Sequence, residues 1–372
     1  MDNIVTYAET ELAPFGQCPF SAVDSLVLSR FAYFRLPAAA KDARGWEGMR
    51  IAELFRADYF AELFRYNYDP ESAKRLLTAL AANPRFRDIR VCGYVEQTDP
   101  ATEKQFAAMC FLLGGAAYVA FRGTDSTLVG WKEDFNMAFQ CPVPAQISAA
   151  AYLSEAAAHC GGDLLVGGHS KGGNLAVYAA AFCGGQVKRR INSVYSHDGP
   201  GFLPSVLESA EFAEISARVD KTVPQSSLIG MLLEHQENYR VIKSNGFSVW
   251  QHDPFSWAVE SGGFSPVPGL TSNARYFDRV LNEWVAALTA AEREQLVELL
   301  FGLVDTENVQ TTSQLRAEWK QSLPAAFRAA SGMSREDRDF ITRIAKALVS
   351  LCVRNFPEIW HSAAAAERGG TV

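Results

Sequence analysis

The spacing of apolar residues along the chain changes near residue 89, and this change divides the predicted elements into two groups. Before it, apolar residues recur three to four positions apart, which is typical of one face of a helix. Helices are therefore predicted at residues 21–34, 50–64 and 70–83. Ser21 is a plausible N-cap for the first of them. We interpret residues 1–85 as a helical segment that packs on the core.

After this point, short β-prone runs alternate with helical stretches. The predicted strands lie at residues 89–95, 106–113, 117–121, 164–166, 191–197, 214–219 and 239–243. Helices are predicted at residues 145–160 and directly after Ser170. Such alternation predicts an α/β fold with a mostly parallel central sheet flanked by helices, whose functional residues follow the carboxyl ends of the strands. Residues 86–265 are the expected α/β core.

The C-terminal part of the chain shows helical patterns only. Helices are predicted at residues 276–288, 291–303 and 335–351. We expect residues 266–360 to form a helical subdomain or cap, and residues 361–372 to be a flexible tail.

The stretch Gly168-His169-Ser170-Lys171-Gly172 lies at the turn between a predicted strand and a predicted helix. Its glycines let the backbone turn sharply enough to expose the serine hydroxyl, and the following helix aims free N–H groups at whatever the serine attacks. This is the setting of a nucleophile elbow, so we predict Ser170 as a catalytic nucleophile. In the alternative, the glycines only close a tight turn.

A serine nucleophile needs a histidine base, and the chain has six histidines. His252 follows the last predicted strand, in a loop rich in aromatic and turn residues, which is where an α/β-hydrolase carries its base. His235 is the second choice, expected on a helix before that strand. We predict His252 as the base.

The histidine in turn needs an acid, and two aspartates are expected at the carboxyl ends of strands between the nucleophile and the base. Asp198 begins the turn sequence Asp-Gly-Pro-Gly, which can fix a carboxylate. Asp220 follows the next predicted strand, the commoner position in this fold, but its neighbour Lys221 is a ready surface partner. We predict Asp198 as the acid and keep Asp220 as the alternative.

Acyl transfer also needs donors for the oxyanion. The backbone N–H of Lys171 is the expected first donor, and Thr124, through its N–H or its hydroxyl, the second. The apolar run at residues 228–233 lines either an acyl pocket or lid, or the core. The same alternatives apply to four aromatic residues, Trp131, Phe135, Phe255 and Trp257.

Composition narrows the class of protein. The chain has 372 residues, 48% hydrophobic and 21% charged, which is the balance of a globular protein with a large core. Its net charge of -7 argues against an electrostatic nucleic-acid or anionic-membrane partner. Seven cysteines without a C-x-x-C spacing are expected to be reduced thiols of a cytoplasmic protein, not a disulfide frame or a zinc site. We expect no cofactor, no signal peptide and no membrane-spanning segment.

Several motifs together resemble known families. Ala120-Phe-Arg-Gly-Thr, followed by Trp131 and Asp134 and then by Gly168-His-Ser-Lys-Gly-Gly, resembles the oxyanion loop and elbow of class 3 lipases. More closely, residues 20–257 resemble the bacterial Mbeg1-like proteins, an α/β-hydrolase family. The matching stretches are Val23-Asp-Ser-Leu-Val-Leu-Ser, Gly168-His-Ser-Lys-Gly-Gly-Asn-Leu-Ala, Asp198-Gly-Pro-Gly-Phe, Val223-Pro-Gln-Ser-Ser-Leu-Ile-Gly-Met-Leu-Leu and Gln251-His-Asp-Pro-Phe-Ser-Trp.

The resemblance implies Ser170 as nucleophile, His252 as base and Thr124 as an oxyanion donor. The stretch Asp198-Gly-Pro-Gly also resembles the one that carries the triad acid in pancreatic-type lipases, which implies Asp198 as the acid. One departure is Lys171, which stands where these lipases carry leucine and puts a cation beside the elbow. The hypothesis is therefore a serine hydrolase that cleaves carboxylic esters, with a small-molecule acyl ester as its substrate. The alternatives are a thioesterase or acyltransferase with the same triad, or a non-catalytic binding protein of this fold.

Overall fold

An eight-stranded sheet forms the centre of the computed structural model, which describes residues 2–65, 67–125, 127–233, 238–302 and 333–368. The strands lie side by side in chain order: β1 (Met49–Arg50), β2 (Arg90–Asp99), β3 (Lys104–Leu112), β4 (Ala116–Phe121), β5 (Asp163–His169), β6 (Ile191–His197), β7 (Val219–Pro224) and β8 (Tyr239–Ile242). β1 to β4 pair antiparallel, and β4 to β8 pair parallel. A small hairpin of β9 (Val259–Glu260) and β10 (Gly263–Phe264) follows. The sheet is thus mostly parallel, as expected for an α/β-hydrolase.

Helices cover both faces of this sheet. They are α1 (Ile4–Thr10), α2 (Ala22–Phe31), α3 (Lys41–Arg44), α4 (Ile51–Leu54), α5 (Phe60–Leu63), α6 (Pro70–Ala82), α7 (Leu128–Asn136), α8 (Pro144–His159), α9 (Lys171–Phe182), α10 (Gly185–Lys188), α11 (Pro204–Leu207), α12 (Ala210–Ala213), α13 (Ser272–Ala286), α14 (Ala290–Gly302) and α15 (Arg335–Arg368). None of the helices in the described part of the chain combines the length and the apolar composition that crossing a bilayer requires.

The two faces of the sheet belong to two hydrophobic cores. Along β4, Tyr118 and Ala120 pack with the N-terminal helices, while Val119 and Phe121 pack with α8 and α9, as the alternation of side chains in a strand requires. Right-handed crossovers between sequential parallel strands put the connecting helices on one face only. The other face is left to the N-terminal helices, which pack against it.

The N-terminal helices are tied together by a buried ion pair. Arg85 Nη2 lies 2.7 Å from Asp24 Oδ2, and neither side chain is exposed. Asp24 also accepts a hydrogen bond from the Tyr7 hydroxyl and closes a capping box with Ser21 at the start of α2. The predicted N-cap is thus confirmed, and this helix is held firmly on the sheet.

Three sequence-based boundaries were wrong. The helix predicted at residues 50–64 is broken into α4, a 3₁₀ turn and α5. The strand predicted at residues 214–219 begins only at Val219, because buried Lys221 and Thr222 within it hide the apolar pattern of a central strand. α15 extends past the helix predicted at residues 335–351 and continues to Arg368.

Candidate active site

Ser170 occupies the sharp turn between β5 and α9. Its backbone has φ 59° and ψ −134°, a conformation that costs energy in a non-glycine residue and is held here by the surrounding structure. Its amide donates to the carbonyl of His197 at the end of β6 (2.9 Å), and its carbonyl accepts from Gly173 in the first turn of α9 (2.8 Å). The predicted strand, sharp turn and helix are therefore present.

The flanking glycines are required by close packing at this turn. A Cβ atom on Gly168 would overlap the backbone of Gly172 and lie 2.7 Å from the carbonyl oxygen of Phe121, at the end of β4. A Cβ atom on Gly172 would overlap the same oxygen. The turn can approach the neighbouring strand only because these positions have no side chain.

Asp198 and His252 meet at the end of the sheet. Asp198 follows β6 with φ 52°, and its carboxylate is fully buried. His252 ends a 3₁₀ turn, Ser248–His252, that follows β8, and its Nδ1 lies 2.6 Å from Asp198 Oδ2. A carboxylate at Nδ1 fixes the tautomer that carries the proton there, which leaves the Nε2 lone pair available as a base.

The Asp198 carboxylate has a second partner that sequence reasoning missed. Ser227 is buried and donates its hydroxyl to Asp198 Oδ1 at 2.5 Å, while accepting from the amide of Gly230 at 3.1 Å. A Cβ atom on Gly230 would overlap Asp198 Oδ1. Both residues lie in the Val223-Pro-Gln-Ser-Ser-Leu-Ile-Gly stretch, in which Ser227 had no expected role and Gly230 was placed only in the apolar run considered for a pocket, a lid or the core.

His252 is held beside the elbow by His169. The two rings have centroids 4.6 Å apart, and His169 Nε2 donates to the His252 carbonyl oxygen at 2.8 Å. His169 Nδ1 then accepts from the Tyr33 hydroxyl at 3.2 Å. Burial lowers the pKa of His169 well below its usual range, and repulsion by His252 lowers it further, so this ring stays neutral.

His252 packs on the ring of His169, the residue before Ser170, and no hydrogen bond joins it to the Ser170 hydroxyl. Ser170 is half-buried, and its hydroxyl makes no hydrogen bond to any residue that the structure describes. Catalytic hydrogen bonds are commonly long in a free enzyme and tighten when substrate binds.

The loop after β4 passes directly beside the nucleophile. A Cβ atom on Gly123 would lie 3.0 Å from Ser170 Cβ and 2.6 Å from the His169 carbonyl oxygen. The Thr124 hydroxyl donates to Asp134 Oδ2 at 2.5 Å, so of the two donors expected from Thr124 the N–H is the one left for an oxyanion. Burial raises the pKa of Asp134, and the charge of Lys171 and the Thr124 hydrogen bond oppose that rise.

Lys171 is the first residue of α9, and its backbone N–H was expected as an oxyanion donor. Its side chain is buried. Lys171 Nζ lies 3.0 Å from Glu133 Oε2, with the two side chains 1% and 0% exposed. The expected cation beside the elbow is thus paired inside the protein. It does not make the site positively charged.

The alternative acid, Asp220, lies elsewhere. It is the second residue of β7 and therefore lies at the amino end of that strand, whereas Asp198 follows the carboxyl end of β6. Asp220 forms an ion pair with Arg240 at 2.6 Å. The expectation that it follows a strand was wrong, because the strand begins five residues later than predicted. The alternative base, His235, lies outside the described residues.

The aromatic residues considered for a pocket divide into two groups. Trp257 is fully buried between His169 and His197, and Phe255 is buried under the Arg30 guanidinium. Phe135 on α7 is 45% exposed and contacts Phe301 on α14, and Trp131 on the same helix is half-buried. Trp257 and Phe255 are therefore core residues.

The family of the chain follows from a comparison of its sequence. The family model described as Mbeg1-like matches residues 80–302, more than half of the chain. The chain belongs to the Mbeg1-like family. The match includes the elbow, the loop after β4 and both partners of the Asp198–His252 pair. A search of curated proteins finds no match to this Mbeg1-like chain.

The solved structures similar to this Mbeg1-like protein include fungal lipases. The native propeptide complex of Rhizomucor miehei lipase is 15% identical over 59% of this chain and 67% of that chain, with a TM-score of 0.36. The lipase of Rhizopus microsporus var. chinensis is 12% identical over 60% of this chain and 85% of that chain, with a TM-score of 0.33. M37 lipase is 15% identical over 57% and 70%, with a TM-score of 0.35.

One cluster of side chains in this Mbeg1-like protein could hold a metal ion. The thiols of Cys92, Cys110 and Cys160 lie within 4.8 Å of one another and are all buried. They belong to the core between the sheet and α8, in which free cysteines act as small apolar residues. Their chain positions, 18 and 50 residues apart, gave no sign of this convergence.

Proposed function

We propose that this protein is a serine hydrolase that cleaves carboxylic esters through an acyl-enzyme on Ser170. The observation that carries the proposal is the 2.6 Å contact between His252 Nδ1 and the buried Asp198 carboxylate, with the His252 ring packed on His169, the residue before a serine held at positive φ. A histidine oriented by a buried acid beside a strained serine is the arrangement that activates a hydroxyl.

In the proposed reaction, Ser170 Oγ attacks the ester carbonyl carbon while His252 Nε2 takes its proton. The backbone N–H groups of Lys171 and Thr124 stabilise the negative oxygen of the tetrahedral intermediate. His252 then gives the proton to the leaving alcohol, and the acyl group stays on Ser170. Water, activated by the same histidine, releases the carboxylic acid and restores the serine.

Asp198 contributes to this cycle through His252 and does not itself contact the substrate. Its charge stabilises the protonated form of His252. Ser227 donates to the carboxylate, and the Gly230 amide in turn donates to the Ser227 hydroxyl. Thioester hydrolysis and acyl transfer would use the same groups and differ only in the leaving group or the acceptor.

The experiment is an ester and thioester panel. Wild type, Ser170→Ala and the matched control Ser216→Ala, which changes a half-buried serine on a 3₁₀ turn, are compared on p-nitrophenyl esters of increasing chain length and on acyl-CoA. We expect turnover by wild type and Ser216→Ala and a loss of at least about 10³-fold for Ser170→Ala. Equal activity of wild type and Ser170→Ala would refute the proposal, and preference for acyl-CoA would move it to a thioesterase.

A further inference from the structure

The Lys171 side chain links the elbow to two other elements. Lys171 Nζ donates to the carbonyl oxygen of Gln105 at 3.1 Å and to its side-chain oxygen at 3.3 Å, both on β3. It also pairs with Glu133 on α7 at 3.0 Å and lies 3.5 Å from Asp134 Oδ1. A residue whose backbone N–H faces the oxyanion is thus anchored through its own side chain.

Glu133 completes the link on the side of the oxyanion loop. Its Oε2 also accepts from the amide of Gln105 at 2.9 Å, and its Oε1 accepts from the amide of Ala145 in the first turn of α8 at 2.8 Å. This fully buried carboxylate therefore joins β3, α7, α8 and the elbow. The next residue of α7, Asp134, accepts the hydroxyl of Thr124.

We propose that Lys171 and Glu133 are positioning residues that set the distance between the two oxyanion donors. The inference rests on the proposed function, because it assigns these residues to the same site. The ion pair clamps α7 to the turn that carries Ser170, and α7 in turn holds Thr124 through Asp134. The Lys171 and Thr124 N–H groups are thereby fixed before substrate arrives, which is the condition under which such donors lower a barrier.

Charge, and not size alone, is required at this position. A leucine or methionine at residue 171 would leave Glu133 and its neighbour Asp134 as adjacent carboxylates without a cation, and a lone buried charge is strongly unfavourable. Either α7 would then move toward solvent, or one of the two carboxylates would take up a proton. Either response changes the Thr124 loop, which lies in contact with Ser170 Cβ.

The chain offers a matched control for effects on stability alone. Arg85 and Asp24 form another fully buried ion pair, which ties α2 to the segment after α6. Lys171→Met and Arg85→Met each remove a cation from such a pair. Only Lys171→Met should alter the geometry of the oxyanion site.

The experiment makes two measurements. The first is kcat and KM on a short p-nitrophenyl ester, with the concentration of active enzyme determined by fluorophosphonate titration of the serine. The second is amide hydrogen exchange in residues 121–136. Lys171→Met, Glu133→Gln, the double variant and Arg85→Met are compared with wild type at a temperature at which all are folded. We expect Lys171→Met to lower kcat about 10²-fold, as for loss of one oxyanion donor, with KM within about threefold. The double variant should fall no further than the single ones, and exchange in residues 121–136 should accelerate in all three.

Arg85→Met should change neither kcat per titrated serine nor exchange in this segment. An equal loss of kcat in Arg85→Met and Lys171→Met would overturn the proposal, as would a rise in KM alone. If the wild-type protein neither hydrolyses the ester nor reacts with the fluorophosphonate, the proposed function fails. Unchanged hydrogen exchange in Lys171→Met would then also refute the claim that Lys171 anchors α7 to the elbow. Lys171→Met is expected to be destabilised, so Glu133→Gln, which keeps the shape of the side chain, provides the second measurement.

Discussion

Replacing Asp198 by asparagine removes the acid without changing its shape, and the structure defines which way the new amide turns. Ser227 donates its hydroxyl to Oδ1, and that hydroxyl already accepts from the Gly230 amide. The oxygen of the introduced side-chain amide therefore faces Ser227, which leaves its NH₂ group facing His252 Nδ1. Two donors cannot face each other, so the histidine must turn its Nδ1 lone pair to the amide and carry its proton on Nε2. The imidazole then has no lone pair with which to accept the serine proton.

The expected cost follows from this change of tautomer. Loss of the correct tautomer in a serine–histidine–acid triad lowers kcat by about 10⁴-fold, which corresponds to about 5.4 kcal/mol in the activation barrier. Asp220→Asn instead breaks a partly exposed ion pair with Arg240, the kind of contact that contributes about 0–1 kcal/mol to stability. Its kcat should stay within about twofold of wild type.

The assay is initial-rate hydrolysis of a p-nitrophenyl ester by wild type, Asp198→Asn and Asp220→Asn, with circular dichroism to confirm that each variant is folded. KM should change little in either variant, because the acid does not touch substrate. A kcat for Asp198→Asn above about one tenth of wild type would refute the assignment. A larger loss for Asp220→Asn would give that residue the role despite its distance along the strand.

Two further predictions concern acid stability and behaviour at lipid interfaces. Burial lowers the pKa of His197 to about 3, so between about pH 6.5 and pH 3 the unfolded chain binds a proton that the folded chain does not. The free energy of unfolding should therefore fall as pH decreases through this window, by up to about 1.4 kcal/mol per pH unit. Urea titrations at several pH values should show a weaker dependence of this free energy on pH for His197→Gln than for wild type. Equal dependence in the two proteins would contradict the prediction. Because Glu133 clamps α7 to β3 and α8, α7 should not open as a lid, and hydrolysis of a short-chain ester should show no step at its critical micelle concentration; a sharp rise there would contradict the clamp.

The parts of the site that follow strands could be predicted from the sequence. Ser170 and Asp198 come directly after strands and His252 lies in the loop after the last strand of the sheet, and parallel strands bring their carboxyl ends to one edge. Asp220 was weighed against Asp198 because the start of β7 was misplaced. Lys221 and Thr222 are buried inside that strand, and local pattern cannot distinguish such polar core residues from a surface loop.

The supporting residues could not be predicted because their roles depend on contacts between distant segments. Glu133 lies in the run Lys132-Glu133-Asp134, which is typical of a solvated helix face, yet its side chain is fully buried against the elbow. Ser227 reaches Asp198 across 29 residues, and His169 reaches the His252 carbonyl across 83. Nothing in the neighbouring sequence of these residues indicates which partner they will meet.

Fluorophosphonate labelling tests whether Ser170 is an activated nucleophile. Wild-type protein is incubated with the probe, and the adduct is located by mass spectrometry of the peptides. We expect one adduct, on the peptide that contains Ser170, its absence in Ser170→Ala and slow formation in His252→Ala. No adduct on Ser170, under conditions that label a known serine esterase, or labelling that persists in Ser170→Ala, would show that Ser170 is not the nucleophile.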